Sequence, residues 1–272
     1  MEIIDSLFSD KKTVIIMAIA YVIVMVVASI IIWKPDDVLD ISKYEPYDEE
    51  KIQQQMATYY FNSVQDIGVY NAKSYLSSIL SENYLEYTNQ SIDEVLRRIR
   101  SQNKYPTVTD VQVYNIGDKY IYAGNLNVNS NSIPVCIIEN YPYDIQLTFD
   151  NFLDYYTINR TTSKNGMNIT VKDVYKNLNY VEYNLEIQNE SAQNVSMKFS
   201  VASNVYVTLN NSQIVYLNNA YDSAELERLE RNNVATRNIM FNIPVSDQDK
   251  IQSISFKNVI IDGKKVELEI SL

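Results

Sequence analysis

The chain has 272 residues, 34 acidic against 23 basic, and a formal net charge of −11: long enough for two ordinary domains, and acidic enough to repel nucleic acid, so no nucleic-acid partner is expected. It has no histidine and one cysteine. That excludes Ser-His-Asp and Cys-His triads, histidine bases, the commonest zinc ligands and any intrachain disulfide scaffold.

In chain order, residues 1–12 form a short head. Residues 13–33, "TVIIMAIAYVIVMVVASIIIW", hold no charge, and as a helix they span about 30 Å, the thickness of a bilayer core. Lys11 and Lys12 precede the run, and Lys34 follows Trp33 at its end. Val26-Val27-Ala28 resembles a weak cleavage site, but the apolar run continues past it. The expectation is a retained signal-anchor: a single-pass transmembrane helix with the lipid bilayer as its partner. The N-terminus is then cytoplasmic and the bulk of the chain extracytoplasmic, at the cell envelope. A cleaved signal and a buried core helix are the alternatives. Residues 34–47, with two prolines and several charges, read as a linker.

Three helices are expected next. The first places Ile52, Met56, Tyr60 and Val64 on one face. The second is capped by Asn71. The third, "SIDEVLRRIRSQN", opens with a capping box of Ser91 and Glu94 and presents Ile92, Val95, Leu96 and Ile99. Pro106 forbids its continuation. The period then switches to two. A turn at "NIGD" (115–118) and alternation through "DKYIYAGNLNVN", "SIPVCIIEN" and "YDIQLTFDNF" predict about four strands. Residues 48–157 therefore read as an α+β domain. The cluster "NRTTSKNGMN" (159–168) reads as a boundary. Residues 165–272 read as a β-sandwich of about seven strands. Val181, Tyr183, Leu185 and Ile187 alternate, and Asp262-Gly263 signals a hairpin. One helix is expected in "DSAELERLERN", capped by Asp222.

No catalytic, cofactor or metal residue stands out, and no cofactor is expected. Asp144, Asp150 and Asp154 are the carboxylates available for glycoside chemistry. Asp144 and Asp150 fall on the polar face of an alternating strand, which reads as solvated surface. Arg97, Arg98, Arg100 and Lys104 form the one basic cluster beyond the anchor. Cations suit a helix C-terminus; the alternative is a patch for an anionic partner. Tyrosines in "NYLEY" (83–87) and "NYPYD" (140–144) read as strand-forming core or as a sugar-stacking surface. Cys136, in "IPVCII", reads as a buried, inert thiol.

The segments "MATYYFNSVQDIGVYNAKSYLSSILSENYLEY" and "SIDEVLRRI", followed by the meander, resemble the nuclear transport factor 2-like fold, three helices packed on a curved antiparallel sheet in a cone. Bitopic subunits of type IV secretion and conjugation machines carry such domains. From "NITVKDVYKNLNYVEYNLEIQNES" onward, the chain is similar to immunoglobulin-like domains of Gram-positive surface proteins. The resemblance implies a non-catalytic, membrane-tethered scaffold or adaptor that binds protein partners at the cell envelope. The alternatives are a conjugation or secretion subunit, and a pocket-based ligand binder or carboxylate-dependent enzyme. No catalytic residue carries over.

Overall fold

A computed structural model describes residues 49–64, 71–100, 106–128, 131–140, 144–190, 192–218 and 225–272. All of them belong to one compact unit, Pro46–Leu272. The head 1–12, the apolar run 13–33, the linker 34–47 and Lys104 lie outside the described residues. The expected membrane-spanning helix is corrected for the described residues alone: none of their helices is long and apolar enough to cross a membrane.

Four helices come first: α1 (Glu49–Val64), α2 (Ala72–Ile79), α3 (Glu82–Thr88) and α4 (Ile92–Arg100). Local chemistry sets their ends. Lys73 N–H donates to Asn71 Oδ1 at 2.8 Å, capping α2. The capping box forms at α4: Ser91 N–H donates to Glu94 Oε2 at 2.8 Å, and Glu94 N–H reaches Ser91 Oγ at 3.4 Å. The Ser91 N–H bond, with a second from Ser91 Oγ to Oε2 at 2.9 Å, lowers the Glu94 pKa. Val95, Leu96 and Ile99 are the buried stripe of α4. The fourth helix, α3, has Ser81 as its N-cap and ends on Asn89 in the left-handed conformation.

Strands β1 (Thr107–Ile116), β2 (Lys119–Val128), β3 (Asn131–Asn140) and β4 (Asp144–Phe149) follow as an antiparallel meander. A bulge interrupts β1 between Thr109 and Gln112, and Asp110 there has φ of 56°. Both faces of this sheet are buried. Tyr122 and Leu126 lie on one side of β2 and Ile121 and Ala123 on the other. The second face packs with Cys136, Ile138, Leu153, Leu178 and Val245 in one cluster. Leu178 and Val245 come from the chain's second half, so the meander is a middle layer.

The rest is strand: β5 (Phe152–Lys164), β6 (Met167–Asn177), β7 (Val181–Asn189), β8 (Asn194–Met197), β9 (Val205–Leu209), β10 (Ile214–Tyr216), β11 (Leu226–Glu230), β12 (Val234–Phe241), β13 (Ile251–Ile261) and β14 (Lys264–Ser271), with a one-turn helix α5 (Val245–Gln248). One sheet has the order β12-β7-β6-β5. The other runs β10-β9-β13-β8-β11, with β14 also on β13. Ile169, Val171 and Leu185 from the first share a core with Val207, Ile254 and Phe256 from the second. The expected boundary residues 159–164 lie inside β5, which continues to Lys164 and turns at Asn165-Gly166 into β6.

This architecture corrects the expected fold class. Strand makes up 57% of the described residues, so the helices are a minor layer. Among the described residues four helices precede the meander rather than three, and the meander is covered on both faces rather than wrapped as a cone. The second half differs from the expected seven-strand immunoglobulin-like sandwich: its ten described strands form a four-stranded sheet and a six-stranded one centred on β13, which pairs with β9, β8 and β14.

The helix expected at "DSAELERLERN" is also corrected. Residues 226–230 form β11. Leu226 and Leu229, three apart, imitate one face of a helix. A bulge between them restores both to the buried face of a strand.

Candidate functional site

The described members of the basic cluster have different surroundings. Arg97 is exposed on α4. Arg98 turns back onto the fold: Nη2 donates to the Tyr84 hydroxyl at 2.6 Å, and the guanidinium lies 5.6 Å from the Phe149 ring centre. Its Nη1 is 3.9 Å from Asp150 Oδ2. Burial raises the Tyr84 pKa above the ordinary tyrosine value, with Arg98 pulling the other way. Arg98 therefore ties α3, α4 and the β4–β5 turn together. Arg100 is half-buried at the end of α4.

The three aspartates are held by different partners. Asp144, at the start of β4, accepts from Asn140 Nδ2 at 3.1 Å and Gln146 Nε2 at 3.0 Å. Asp150 sits in the β4–β5 turn with φ of 59°. Asp154 accepts from Asn83 Nδ2 at 2.6 Å and from Tyr155 N–H at 2.9 Å. Cys136 is fully buried, and burial pushes its thiol up to about 12, so it is no nucleophile at neutral pH. Of the "NYLEY" tyrosines, Tyr84 is core. Tyr87 is surface, with its ring stacked on Tyr175 at 4.2 Å.

Two surface features stand apart. The first is the edge strand β10. Ile214 and Tyr216 are 46% and 52% exposed, and the Tyr216 ring meets Tyr206 edge-on at 6.1 Å. Lys257 Nζ lies 5.0 Å from the Tyr206 ring centre. Among the described residues, β10 pairs on one side only, with β9.

The second is a cleft of about 190 Å³ where the meander meets β6 and α5. Its apolar lining is Ile116, Ile121, Ile138, Leu153 and Val245; its charged lining is Lys119, Asp154, Lys176 and Asp249. Lys176 Nζ donates to Asp249 Oδ1 at 2.7 Å. Burial works to lower the Lys176 pKa, but the Asp249 bond and neighbouring charges outweigh it and leave it raised.

Two amides also line the cleft, and each has an orphaned oxygen. Gln248 is 4% exposed. Its Nε2 donates to the carbonyls of Asn177, Ile243 and Tyr180 at 2.6, 3.0 and 3.3 Å. Three carbonyl partners identify that end as nitrogen, so the other end is Oε1. Gln248 Oε1 and Asn140 Oδ1 are buried and have no protein partner. A buried acceptor left unmade costs about 1–3 kcal/mol, and both oxygens are shielded from solvent, so neither faces the open cleft. Sequence reading singled out Asp154 but not this cleft. No group of three or more His, Cys, Asp or Glu side chains suited to a metal occurs among the described residues.

No protein-family model matches the chain, and no curated protein matches it. Among solved structures, the chain is similar to a conserved hypothetical protein from Bacillus anthracis, at 15% identity and a TM-score of 0.30, over 42% of this chain and 95% of that one.

Proposed function

We propose that this chain is a non-catalytic adaptor of the cell envelope that binds protein partners. The observation that carries the reading is the edge of β10 that no strand pairs among the described residues, with Ile214 and Tyr216 exposed beside Tyr206. An open strand edge offers main-chain donors and acceptors to an added strand, and large side chains beside it supply anchors. Proteins usually blunt such an edge with charge or proline, whereas "IVY" carries neither. The place at the envelope rests on the sequence alone and is tested by fractionating cells that make the tagged full chain.

The partner reading is tested by placing a photo-crosslinking amino acid at Tyr216 of the full chain in cells, with exposed Ser163 on β5 as the control position. Discrete adducts at 216 that are absent at 163 support it. No adduct at 216, or the same adducts at both positions, overturns it.

A further inference from the structure

We propose that the occupant of the β10 edge is a second copy of this chain, paired with the first about a two-fold axis at Val215. The proposal rests on the reading of that edge as a protein-binding surface. The strand register fixes which groups the edge offers. Leu209 N–H donates to the Gln213 carbonyl at 2.9 Å, and Leu217 N–H to the Val205 carbonyl at 3.0 Å. Val215 lies between them, opposite Val207. Bonded and non-bonded pairs alternate along an antiparallel ladder, so Gln213, Val215 and Leu217 turn their main-chain groups to β9, and Ile214 and Tyr216 turn theirs outward. A second β10, antiparallel and centred on Val215, sets Ile214 of each copy opposite Tyr216 of the other. The four outward N–H groups of the two strands then meet the four outward carbonyls, an isologous contact.

The side chains are self-complementary in the same register. Ile214 and Tyr216 share the exposed face, and a β-branched residue opposite an aromatic one is a favourable cross-strand pair. Val215 points the other way, half-buried against the sandwich core, and Val215 of the second copy covers its remaining side. Charge singles out this edge. Residues 199–221 carry no charged side chain, although the whole chain carries −11. The other edge strands among the described residues do carry charge: Asp110 on β1, Asp144 on β4, Arg160 on β5, Arg228 on β11 and Arg237 on β12. Charge on an edge strand discourages pairing with another chain. A basic partner drawn to this acidic protein would find no carboxylate on β10. A second acidic copy meets the first where neither presents charge.

The test is disulfide trapping of the full chain in cells, with diamide as oxidant. Val215→Cys is compared with Ser163→Cys at an exposed position on β5; the buried Cys136 is present in both. On the two-fold axis, position 215 forms a non-bonded pair with itself, with Cα atoms about 4.5 Å apart, within the reach of a disulfide. A covalent dimer from Val215→Cys and none from Ser163→Cys is expected. Adding Tyr216→Pro removes one outward N–H per copy and no bond to β9, and should abolish the dimer. Melting curves establish that each variant is folded. If Tyr216→Pro fails to fold, Ile214→Glu, which places a carboxylate on the edge of each copy, decides in its stead. No dimer from Val215→Cys, an equal yield from Ser163→Cys, or a dimer that persists in the folded edge variant overturns the proposal. The photo-crosslinks at 216 keep the two readings apart. Foreign adducts without a Val215→Cys dimer overturn the pairing and leave the adaptor standing. A Val215→Cys dimer with self-adducts alone does the reverse.

Discussion

Asn83 Nδ2 donates to Asp154 Oδ1 at 2.6 Å across 71 residues of sequence. The bond fastens α3, a helix of about two turns, to the start of β5. The Arg98 bond to the buried Tyr84 hydroxyl is the second polar tie on this helix. A partly buried bond to a carboxylate contributes about 1.5–3 kcal/mol. Asn83→Ala and Asp154→Ala should each lower the urea midpoint, and together cost less than the sum of the two. Strict additivity in that double-mutant cycle would show the pair to be uncoupled.

β5 serves both halves. Phe152 meets Tyr84 edge-on at 5.3 Å, while residues 160–164 pair with β6. A fragment of residues 165–272 would expose the whole edge of β6, including the backbone beside buried Ile169 and Val171. The expectation is that residues 152–272 unfold cooperatively in urea, while 165–272 unfolds at a lower midpoint or aggregates. Equal midpoints for the two fragments would show β5 to be dispensable to the second half.

Arg98 and Arg97 are neighbours in sequence and differ in role. Arg98 bonds the Tyr84 hydroxyl and covers Phe149; Arg97 is exposed. Arg98→Ala should destabilise by about 1–2 kcal/mol, and Arg97→Ala by less than about 0.5 kcal/mol. Arg98→Lys should recover little, because a lysine cannot both stack and reach the hydroxyl in the same geometry. Thermal melts of the three variants check the order. If Arg97→Ala proves the costlier change, the exposed arginine has a structural partner.

What was legible in the sequence is what short-range chemistry dictates. The Asn71 cap, the Ser91–Glu94 box and the turns at Gly117-Asp118 and Asp262-Gly263 all sit where residue types within four positions require them. Alternation placed Val181, Tyr183, Leu185 and Ile187 in the core. The failures have physical reasons. α3 has seven residues and one buried side chain, too few for a helical stripe. β11 hides its period behind a bulge. The burial of the meander's second face depends on Leu178 and Val245, far away in sequence. The cleft draws on residues from Asn83 to Asp249, so no local motif announces it. The basic cluster was visible as four cations, but only the fold shows Arg98 turned onto Phe149.

Gly124 lies on β2 opposite the β1 bulge. A Cβ there would sit 3.0 Å from Val108 Cγ1 and 3.3 Å from both the Thr109 carbonyl oxygen and Val111 Cγ2. The bulge brings β1 backbone close, and the carbonyl cannot rotate away. Gly124→Ala should cost about 1–3 kcal/mol. Adding Val108→Ala should return part of that cost, because it removes the nearest contact. Chemical denaturation of the two singles and the double checks this. A Gly124→Ala protein as stable as the parent would mean that the strands open without penalty.

Alkaline pH should unfold the chain through its buried acids. Burial, with a smaller push from Tyr156, raises the Tyr183 pKa above 10.0. Burial also raises Tyr175, with Asn177 opposing and Tyr180 adding. Cys136 moves from 9.0 to about 12. In the unfolded chain these groups ionise at their ordinary values; in the folded chain they keep their protons. The unfolded state then binds fewer protons, so stability falls as pH rises. Their contribution is complete below pH 9.0, the ordinary thiol value. It declines first through Cys136, then through the tyrosines above 10.0. Urea midpoints should hold steady from about pH 7 to 8.5 on account of these groups and drop steeply by about pH 11. Tyr183→Phe, which cannot ionise, should flatten the drop above pH 10.0 while changing little at neutral pH, and Cys136→Ala should flatten its earlier part. Ultraviolet titration supplies the independent check: tyrosinate absorbance should rise in two stages, exposed residues first and the rest together with the loss of the strand circular dichroism signal. If every tyrosine ionises while that signal is intact, the buried hydroxyls are open to hydroxide and the assigned cause of alkaline unfolding is wrong.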